Sequence, residues 1–487
     1  MKILSEQNKS NLLANGSNQN IIVSLNLDTK IEKSLSLNNE PVHYCFLLDI
    51  SDSSQNNNEC NIENSKLNKI KVVLKSFVEN TLPLFRDEDK ISLVVYNKTQ
   101  YKIVYALGKN DEKEICARID YFVKVLTQMV EAGTLDNKYN SISKALKATR
   151  EDILDTYGFN KNKIVVITDT KPSFCMDDFG MVVDREEDAL NEAAIIASKN
   201  IALDCICLSN DTEEEQGDYN FAQKLVQAAN GKAYIVEDID AIKTNLSYSI
   251  KDSHESSRYN ARLTLYFNSG VDVGDYYSMY HGNKYFGKMN IQQPNEIHKH
   301  RYFIIGLPEL KDNTMYNFTL DVKVPTIITQ EDRLRPGYKD PKQYPIILAK
   351  VEYDTMVDGK LIRQVVQDKV VINITEDIIL AQQGIRGKIE TQYKMLTIKK
   401  LEPEFIKANN ECDHKKLRDL GSQMSRLYLE IGKHREAEDV KRYFMKAVNE
   451  KKLKTSEINN LVKTSSTVVI GTVEKIKNPF DDMIKNG

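Results

Sequence analysis

A polar motif with the pattern Asp-x-Ser-x-Ser, formed by Asp49, Ser51 and Ser53, directly follows the apolar residues 44–48. Such an apolar run, bounded by polar residues, predicts a strand buried in a sheet. In open α/β sheets, the loops after the carboxyl ends of the strands form the ligand sites. One carboxylate and two hydroxyls are oxygen donors of the kind that a hard divalent cation prefers. The motif alone is weak, because average residue usage gives roughly one chance match in ten chains of this length.

Two further oxygen-bearing loops follow in the order that a single site at this edge requires. Thr134 precedes residues 141–149, in which the apolar side chains recur at helical spacing. Asp169 directly follows the apolar residues 163–168, which predict a second buried strand. The set that resembles the metal-ion-dependent adhesion site of von Willebrand factor A (vWA) domains is Asp49, Ser51, Ser53, Thr134 and Asp169.

The chain is identified as a member of the vWA family by this resemblance, which extends from about residue 43 to residue 250. The resemblance implies an α/β fold with a doubly wound, mostly parallel sheet, because alternating strands and helices are joined by right-handed crossovers. The segments that resemble the helices and strands of the family are 67–82, 87–96, 189–200, 201–208, 221–230 and 233–236.

The resemblance also implies a metal site that binds proteins. If the three hydroxyls contact Mg²⁺ directly while the two aspartates act through water, the cation keeps much of its positive charge. Mg²⁺ retains water ligands readily, so that an Asp or Glu of a partner protein can exchange into one coordination position. Mn²⁺ accepts the same oxygen donors. The two aspartates would then orient the hydroxyls and the bound waters.

The sequence departs from the family near the site. Thr170 stands where glycine is usual, which restricts the backbone of that turn. Residues 54–65 form a polar, Asn-rich insertion, which predicts a loop at the rim of the site that gates access or contacts a partner, or an unselected insertion. As an alternative to metal binding, Asp49 or Asp169 could cap the helix that follows it. Capping would explain each of these residues by itself, but it does not explain why the three oxygen-bearing loops follow one another in the order that the metal site of the family requires.

Composition limits the classes of partner and the cellular setting. The net charge of -3 gives no basic field for nucleic acid, and no segment approaches the roughly 18 consecutive apolar residues of a membrane helix. The polar residues 1–20 lack the apolar core of a signal peptide. The seven cysteines have no regular spacing, and Cys45, Cys205 and Cys207 lie inside apolar runs. We therefore expect reduced core cysteines in a cytoplasmic protein that binds neither nucleic acid nor membrane.

Alternating apolar and polar residues on both sides of the vWA segment predict the strands of a second unit. We predict an antiparallel β-sandwich built from residues 20–42 and 258–375, into which the vWA domain, residues 43–250, is inserted. Residues 1–19 are predicted to form a flexible N-terminus. The segments with strand character are 23–28, 261–267, 302–305, 316–322, 346–353 and 364–374.

Beyond residue 375, the apolar spacing changes from two to about three and a half. This spacing predicts a helical hairpin or small bundle over residues 376–465, with breaks at 402–403 and 432–433. The last residues, 466–487, are predicted to form an extended tail, in which an apolar stretch is followed by acidic residues.

Together these features favour a metal-dependent scaffold or adaptor protein with no chemistry of its own. A second hypothesis is a self-assembling structural protein, a homo-oligomer whose C-terminal tail engages a neighbouring copy. A third is a metal-assisted hydrolase, since a cation with open positions can activate water. The sequence contains no Walker loop, no Gly-x-Gly-x-x-Gly and no Gly-x-Ser-x-Gly, and it offers no general base near the predicted site.

Overall fold

The computed structural model describes most of the chain between residues 1 and 461. The predicted insertion at 54–65 and the predicted tail at 466–487 lie outside the described residues, as does most of the predicted helix at 67–82. The described residues are 1–30, 40–51, 74, 77, 81–132, 141–155, 161–168, 175–176, 182–208, 219–229, 231–236, 239–280, 284–357, 360–384, 387–450, 453, 457–458 and 460–461.

The N-terminal residues form strands, so the prediction of a flexible segment over 1–19 is wrong. Strands β1 (Lys2–Gln7), β2 (Asn11–Leu13) and β3 (Gln19–Asp28) begin the chain. Strand β1 pairs antiparallel with β3 over its whole length. The side-chain amide of Gln19 bonds to both the backbone N–H and the carbonyl of Leu13, and this holds the connection between β2 and β3. Backbone pairing therefore orders a segment that has little apolar character.

The next part of the chain alternates strands and helices. The strands are β4 (His43–Asp49), β5 (Lys90–Tyr96), β6 (Gln100–Gly108), β7 (Asn162–Thr168), β8 (Cys175–Met176), β9 (Val182–Asp184), β10 (Ala202–Leu208) and β11 (Ala233–Val236). The helices are α1 (Glu112–Glu131), α2 (Ile142–Ala148), α3 (Glu186–Ser198), α4 (Tyr219–Ala228) and α5 (Ile239–His254).

Six of these strands form one sheet, in the order β11-β10-β7-β4-β5-β6 among the described strands, whereas β8 and β9 pair only with each other there. All neighbours in it are parallel except β5 and β6, so the predicted mostly parallel sheet is confirmed. Successive residues of the central strand β4 point to opposite faces, and Phe46 and Leu47 belong to two different hydrophobic clusters. Burial on both faces explains why the middle of β4, residues 44–48, is a continuous apolar run.

Two further sheets contain the strands that follow the α/β sheet along the chain, together with β1 to β3. Their orders are β1-β3-β16-β13-β14 and β15-β12-β17-β18-β2 among the described strands. Apolar residues of both sheets share one hydrophobic cluster, and β2 pairs with β18 in parallel. The added elements are β12 (Ser256–Phe267), β13 (Asp272–Ser278), β14 (Lys284–Lys288), β15 (Arg301–Lys311), β16 (Met315–Val324), α6 (Gln330–Leu334), β17 (Gln343–Val357) and β18 (Lys360–Thr375).

The C-terminal part is helical. Helices α7 (Ile378–Gln382), α8 (Lys388–Asn410), α9 (His414–Glu430) and α10 (His434–Glu450) follow one another, and α8 to α10 share a hydrophobic cluster. The break predicted at 402–403 is wrong, because α8 continues through Pro403. The break predicted at 432–433 is present between α9 and α10. No helix among the described residues is both long and apolar enough to cross a membrane.

Buried charges join the α/β sheet to the neighbouring sheets. The ammonium of Lys163 on β7 lies 2.9 Å from a carboxylate oxygen of Asp204 on β10 and 3.3 Å from one of Glu309 on β15. Asp204 also accepts hydrogen bonds from the hydroxyl of Ser249, at 2.6 Å, and from the backbone N–H of Lys232, at 3.0 Å. All three ionised groups are buried, so the attraction between the lysine and the two carboxylates has to offset the cost of removing these charges from water.

A buried lysine beside this network contacts no carboxylate of the described residues. The ammonium of Lys284, at the start of β14, donates to the carbonyl of Gly231 at 2.6 Å, and burial lowers the pKa of Lys284 to about 7. In the unfolded chain, the pKa of a lysine is about 10.4. Below about pH 7 the full cost of burying the charge opposes folding, whereas above about pH 10 the amine is neutral in both states. The contribution of Lys284 to stability therefore increases with pH between these limits.

We expect the free energy of unfolding of the wild type to gain about 2 kcal/mol between pH 7 and pH 9 relative to the Lys284→Met variant. Urea denaturation at the two pH values measures this difference. Lys288→Met, which changes an exposed lysine at the other end of β14, is the control and should follow the wild type. Identical pH dependence in wild type and Lys284→Met would contradict a neutral buried amine.

Candidate functional site

The carboxyl ends of three neighbouring strands meet at one edge of the α/β sheet. Strand β4 lies between β5 and β7, and Asp49 at its end is directly opposite Tyr96, the last residue of β5. Beyond the strand, the backbone N–H of Ile50 donates to the carbonyl of Tyr96 at 2.8 Å. Thr168 is the last residue of β7 on the other side of β4. This geometry places the beginning of the Asp-x-Ser-x-Ser motif at the edge where the sequence predicts it.

The Asp49 carboxylate is buried and accepts three hydrogen bonds from the described residues Ser51 and Thr168. One oxygen accepts from the backbone N–H of Ser51 at 2.8 Å and from its hydroxyl at 2.7 Å. The other oxygen accepts from the hydroxyl of Thr168 at 2.6 Å. Only 2 % of Asp49 is exposed, and such a carboxylate needs donors of this kind to remain ionised. Asp49 therefore fixes Ser51 on its own loop and Thr168 on the neighbouring strand.

The Ser51 hydroxyl is oriented by this arrangement. Its proton is donated to Asp49, so that the two lone pairs of its oxygen are directed away from the carboxylate. An oxygen held in this way can ligate a cation without first breaking its hydrogen bond. The carboxylate has about four acceptor positions and uses three of them on Ser51 and Thr168. The donor set consists of oxygens only, which fits a hard cation such as Mg²⁺ or Mn²⁺.

A backbone contact also brings the start of α2 to this edge. Asn97 directly follows β5, and its carbonyl accepts a hydrogen bond from the backbone N–H of Ser141 at 3.0 Å. Ser141 precedes α2 and is fully buried. The loop that carries Thr134 lies between α1 and Ser141, so that its end is anchored beside the end of β5. The position of Ser141 at this edge agrees with the predicted order of the loops.

The structure brings together two of the five predicted site residues. Asp49 and Ser51 are in contact, whereas Ser53, Thr134 and Asp169 lie outside the described residues. Thr168 is a contributor that the sequence does not predict. Its only signal in the sequence is its position directly before Asp169 at the end of an apolar run.

Local helix capping does not account for all the bonds of Asp49. A cap would use the N–H groups of the next few residues, and the bond from the Ser51 N–H is of this kind. The bond from Thr168 comes from a residue 119 positions along the chain, on a different strand. Asp49 therefore also connects two strand ends at the edge of the sheet.

Comparison with known proteins identifies the class of this α/β unit. Residues 45–247 match the family model of the von Willebrand factor type A domain. The chain therefore contains a vWA domain, in agreement with the resemblance noted from the motif. No curated protein sequence matches the chain.

Two solved structures are similar to nearly the whole chain. A von Willebrand factor type A protein from Catenulispora acidiphila aligns with a TM-score of 0.66 and 14% identity, and the alignment covers 96% of this chain and 97% of that one. The ArnB paralog VWA2 from Sulfolobus acidocaldarius aligns with a TM-score of 0.53 and 14% identity, covering 96% of this chain and 98% of that one. At this identity the likeness concerns the fold, and it extends beyond the vWA domain to the sheets and helices around it.

Proposed function

We propose that this chain is a metal-dependent protein-binding scaffold or adaptor, in which the vWA domain holds Mg²⁺ or Mn²⁺ and captures a carboxylate of a partner protein. The observation that supports this proposal most directly is the buried Asp49 carboxylate, which orients the hydroxyls of Ser51 and Thr168 at the strand ends. The proposed metal site consists of Asp49, Ser51, Ser53, Thr134 and Asp169.

The chemistry of the donors explains why such a site would attract an acidic partner. Hydroxyl ligands are neutral and leave the charge of the cation largely uncompensated, whereas a cage of carboxylates would neutralise it. Asp49 is already occupied by three hydrogen bonds and acts in this proposal from outside the first ligand shell. The site then needs an outside anion, and an Asp or Glu side chain of another protein provides one. We propose no reaction catalysed by the chain itself.

The rest of the chain is proposed to support the vWA domain. We propose that the two sheets that share one hydrophobic cluster form a β-sandwich into which the domain is inserted. Cys45, Cys205 and Cys207 are buried and form no disulfide among the described residues, which agrees with the expectation of a reducing, cytoplasmic setting. Self-assembly through residues 466–487 stays a hypothesis, since that segment lies outside the described residues.

Metal binding is tested with Mn²⁺, whose free ion is counted by electron paramagnetic resonance. We expect the wild type to bind one Mn²⁺ in competition with Mg²⁺, and we expect Asp49→Asn and Ser51→Ala to weaken this binding by about 10- to 100-fold, as changes around a metal site typically do. Asp155→Asn is the control, because Asp155 is an exposed carboxylate on the same domain. Equal Mn²⁺ affinity in wild type and Asp49→Asn would overturn the proposed site.

Partner binding is tested by affinity capture from the native cytoplasm, with the wild type and Asp49→Ala as paired baits. The proposal expects at least one protein that the wild type retains in Mg²⁺, that EDTA releases, and that Asp49→Ala fails to retain. Proteins held equally by both baits would be assigned to the sheets or the helices. A wild type that binds Mn²⁺ but retains no EDTA-sensitive protein would contradict the binding function and leave the metal site standing.

A further inference from the structure

A cavity of 460 Å³ lies between the vWA domain and the two neighbouring sheets. Helices α3 and α4 form one wall, and strands β12 to β15 contribute the other. Its size is within the range of small-molecule sites, and a junction between two units is a common position for such sites. The cavity is separate from the strand ends that carry Asp49 and Ser51, since neither residue lines it.

Three aromatic rings that contact one another line this cavity. Tyr276 on β13 and Phe286 on β14 are stacked, with ring centroids 4.9 Å apart and an interplanar angle of 9°. Phe303 on β15 meets Tyr276 nearly edge-on, at 5.3 Å and 67°. A planar aromatic ligand can extend such a cluster by stacking or by edge-to-face contact.

One cationic side chain, Arg262 on β12, lines the same cavity. Arg262 is partly buried, and its side chain forms no hydrogen bond, ion pair or ring contact with another residue in the part of the chain that the structure describes. Glu352 is directly opposite on β17 but pairs with Lys350 at 3.0 Å. No Asp or Glu is among the described residues that line the cavity. The guanidinium is therefore charged, partly removed from water and available to an anion.

The C-terminal end of helix α3 is the alternative partner to consider for the Arg262 guanidinium. The cavity wall includes the C-terminal end of α3, whose carbonyls attract cations. Two of these carbonyls already accept backbone hydrogen bonds: Ala197 from Asn200 at 2.9 Å, and Ile196 from Lys199 at 3.1 Å. Strand β15 packs closely against this end of α3 at Gly306, where an added Cβ would lie 3.1 Å from the Ala197 carbonyl oxygen.

We infer that this cavity binds a small aromatic carboxylate, with the carboxylate on Arg262 and the ring among Tyr276, Phe286 and Phe303. The planar fork of a guanidinium binds a carboxylate through two parallel hydrogen bonds. A single cation in the cavity suits one negative charge and would only partly compensate a phosphate. Because the two walls belong to the vWA domain and to the neighbouring sheets, the ligand contacts both and stabilises their relative position.

The test uses 2-naphthoate with the full-length chain. The chain has no tryptophan, so the emission of the naphthyl group can be followed without an indole background. We expect saturable binding of one naphthoate per chain, and affinity at least tenfold weaker for the neutral 2-naphthamide and for the non-aromatic cyclohexanecarboxylate. We also expect naphthoate to raise the melting temperature of the wild type.

Arg262→Met removes the charge and keeps most of the side-chain length, and we expect it to lower the naphthoate affinity at least tenfold while leaving naphthamide binding unchanged. Arg418→Met is the matched control, because Arg418 is exposed on α9 and has no ion pair among the described residues. Phe286→Leu provides a second variant, with weakened binding of both naphthyl compounds. Absence of saturable naphthoate binding, or equal affinity in wild type and Arg262→Met, would overturn the inference.

Discussion

Replacing Asp204 by alanine is expected to lower the free energy of unfolding by about 3–5 kcal/mol. Among the described residues, the substitution leaves the buried ammonium of Lys163 with one carboxylate in contact, Glu309 at 3.3 Å, and with the Ser249 carbonyl at 3.2 Å. It also removes the acceptor of the Ser249 hydroxyl. Removing one partner of a buried pair is costly, because the remaining charge stays away from water. Urea denaturation followed by circular dichroism measures the loss.

The matched control for this prediction is Asp155→Ala. Asp155 also pairs with a lysine, Lys199, at 2.6 Å, but both side chains are about two-fifths exposed. Its second ion pair, with Arg150, is long at 3.8 Å, and Arg150 keeps Glu151 and Glu192 as partners. Such pairs contribute roughly 0–1 kcal/mol, so the control should differ little from the wild type. Equal losses in the two variants would show that burial does not make the Asp204 interaction special.

The pH dependence of the same interaction has a definite sign. Burial alone would raise the pKa of Asp204, but the charges of Lys163 and Lys232 and the Ser249 hydroxyl outweigh burial and lower it. A lowered pKa means that the contribution to stability is present above the unfolded value of about 3.9 and is lost as the pH falls through the folded value. The difference in stability between wild type and Asp204→Ala should therefore shrink in acid.

Gly231→Ala is the second variant with a large expected effect, a loss of about 3 kcal/mol or more. A Cβ built on Gly231 would lie 1.5 Å from the carbonyl oxygen of Leu203 and 2.6 Å from its carbonyl carbon. Both atoms belong to the backbone of the β10 segment, so that no side-chain rotation relieves the overlap. The chain leading into β11 would have to move away from β10, and the hydrogen bond from Cys205 to Lys232 would lengthen from 2.8 Å.

Gly384→Ala is the control for this substitution. There, the nearest atom to an added Cβ is the Asn8 carbonyl oxygen at 3.7 Å, an ordinary contact. We expect this variant to be neutral or slightly more stable, by up to about 1 kcal/mol, because alanine restricts the unfolded chain. Thermal melting of the two variants measures the contrast, and an unchanged melting temperature for Gly231→Ala would contradict the close approach of the two segments.

The elements that the sequence predicts best are those whose residues are buried on both faces. Strands β4, β7 and β10 are mainly apolar, because helices cover both sides of their sheet, and the buried charges of Lys163 and Asp204 are exceptions that pair with each other. Strands β1 and β14 have no comparable signal, since polar side chains occupy many of their positions. Their pairing partners order them, and those partners are not visible in the local sequence.

Helix α8 shows how packing overrides a local signal. A proline inside a helix removes one backbone hydrogen bond and costs roughly 3 kcal/mol, so Pro403 predicts a break. The helix continues because residues on both sides of the proline, including Ile398 and Phe405, are buried in the helical cluster. The buried ion pair between Lys399 and Glu402, at 2.8 Å, lies in the same turn.

The part of the candidate site that could be predicted from the sequence is the part whose residues lie close together along the chain. Asp49 and Ser51 belong to one motif, and their contact follows from a spacing of two residues on one loop. Thr168 has no such motif, and its role depends on the adjacency of β4 and β7. A threonine at the end of an apolar run is common, and only the order of strands in the sheet identifies it as a partner of Asp49.

The pairing of β3 with β16 has a consequence for biosynthesis. Asn317 on β16 donates a hydrogen bond to Ser24 on β3, which precedes it by 293 residues. At roughly 5–20 residues per second, a ribosome needs about 15–60 s to cover this interval. During that time β3 has emerged without β16, while every strand of the vWA sheet is synthesised. The nascent chain therefore carries the edge of β3 that pairs with β16 without its native partner until residues 315–324 have been synthesised.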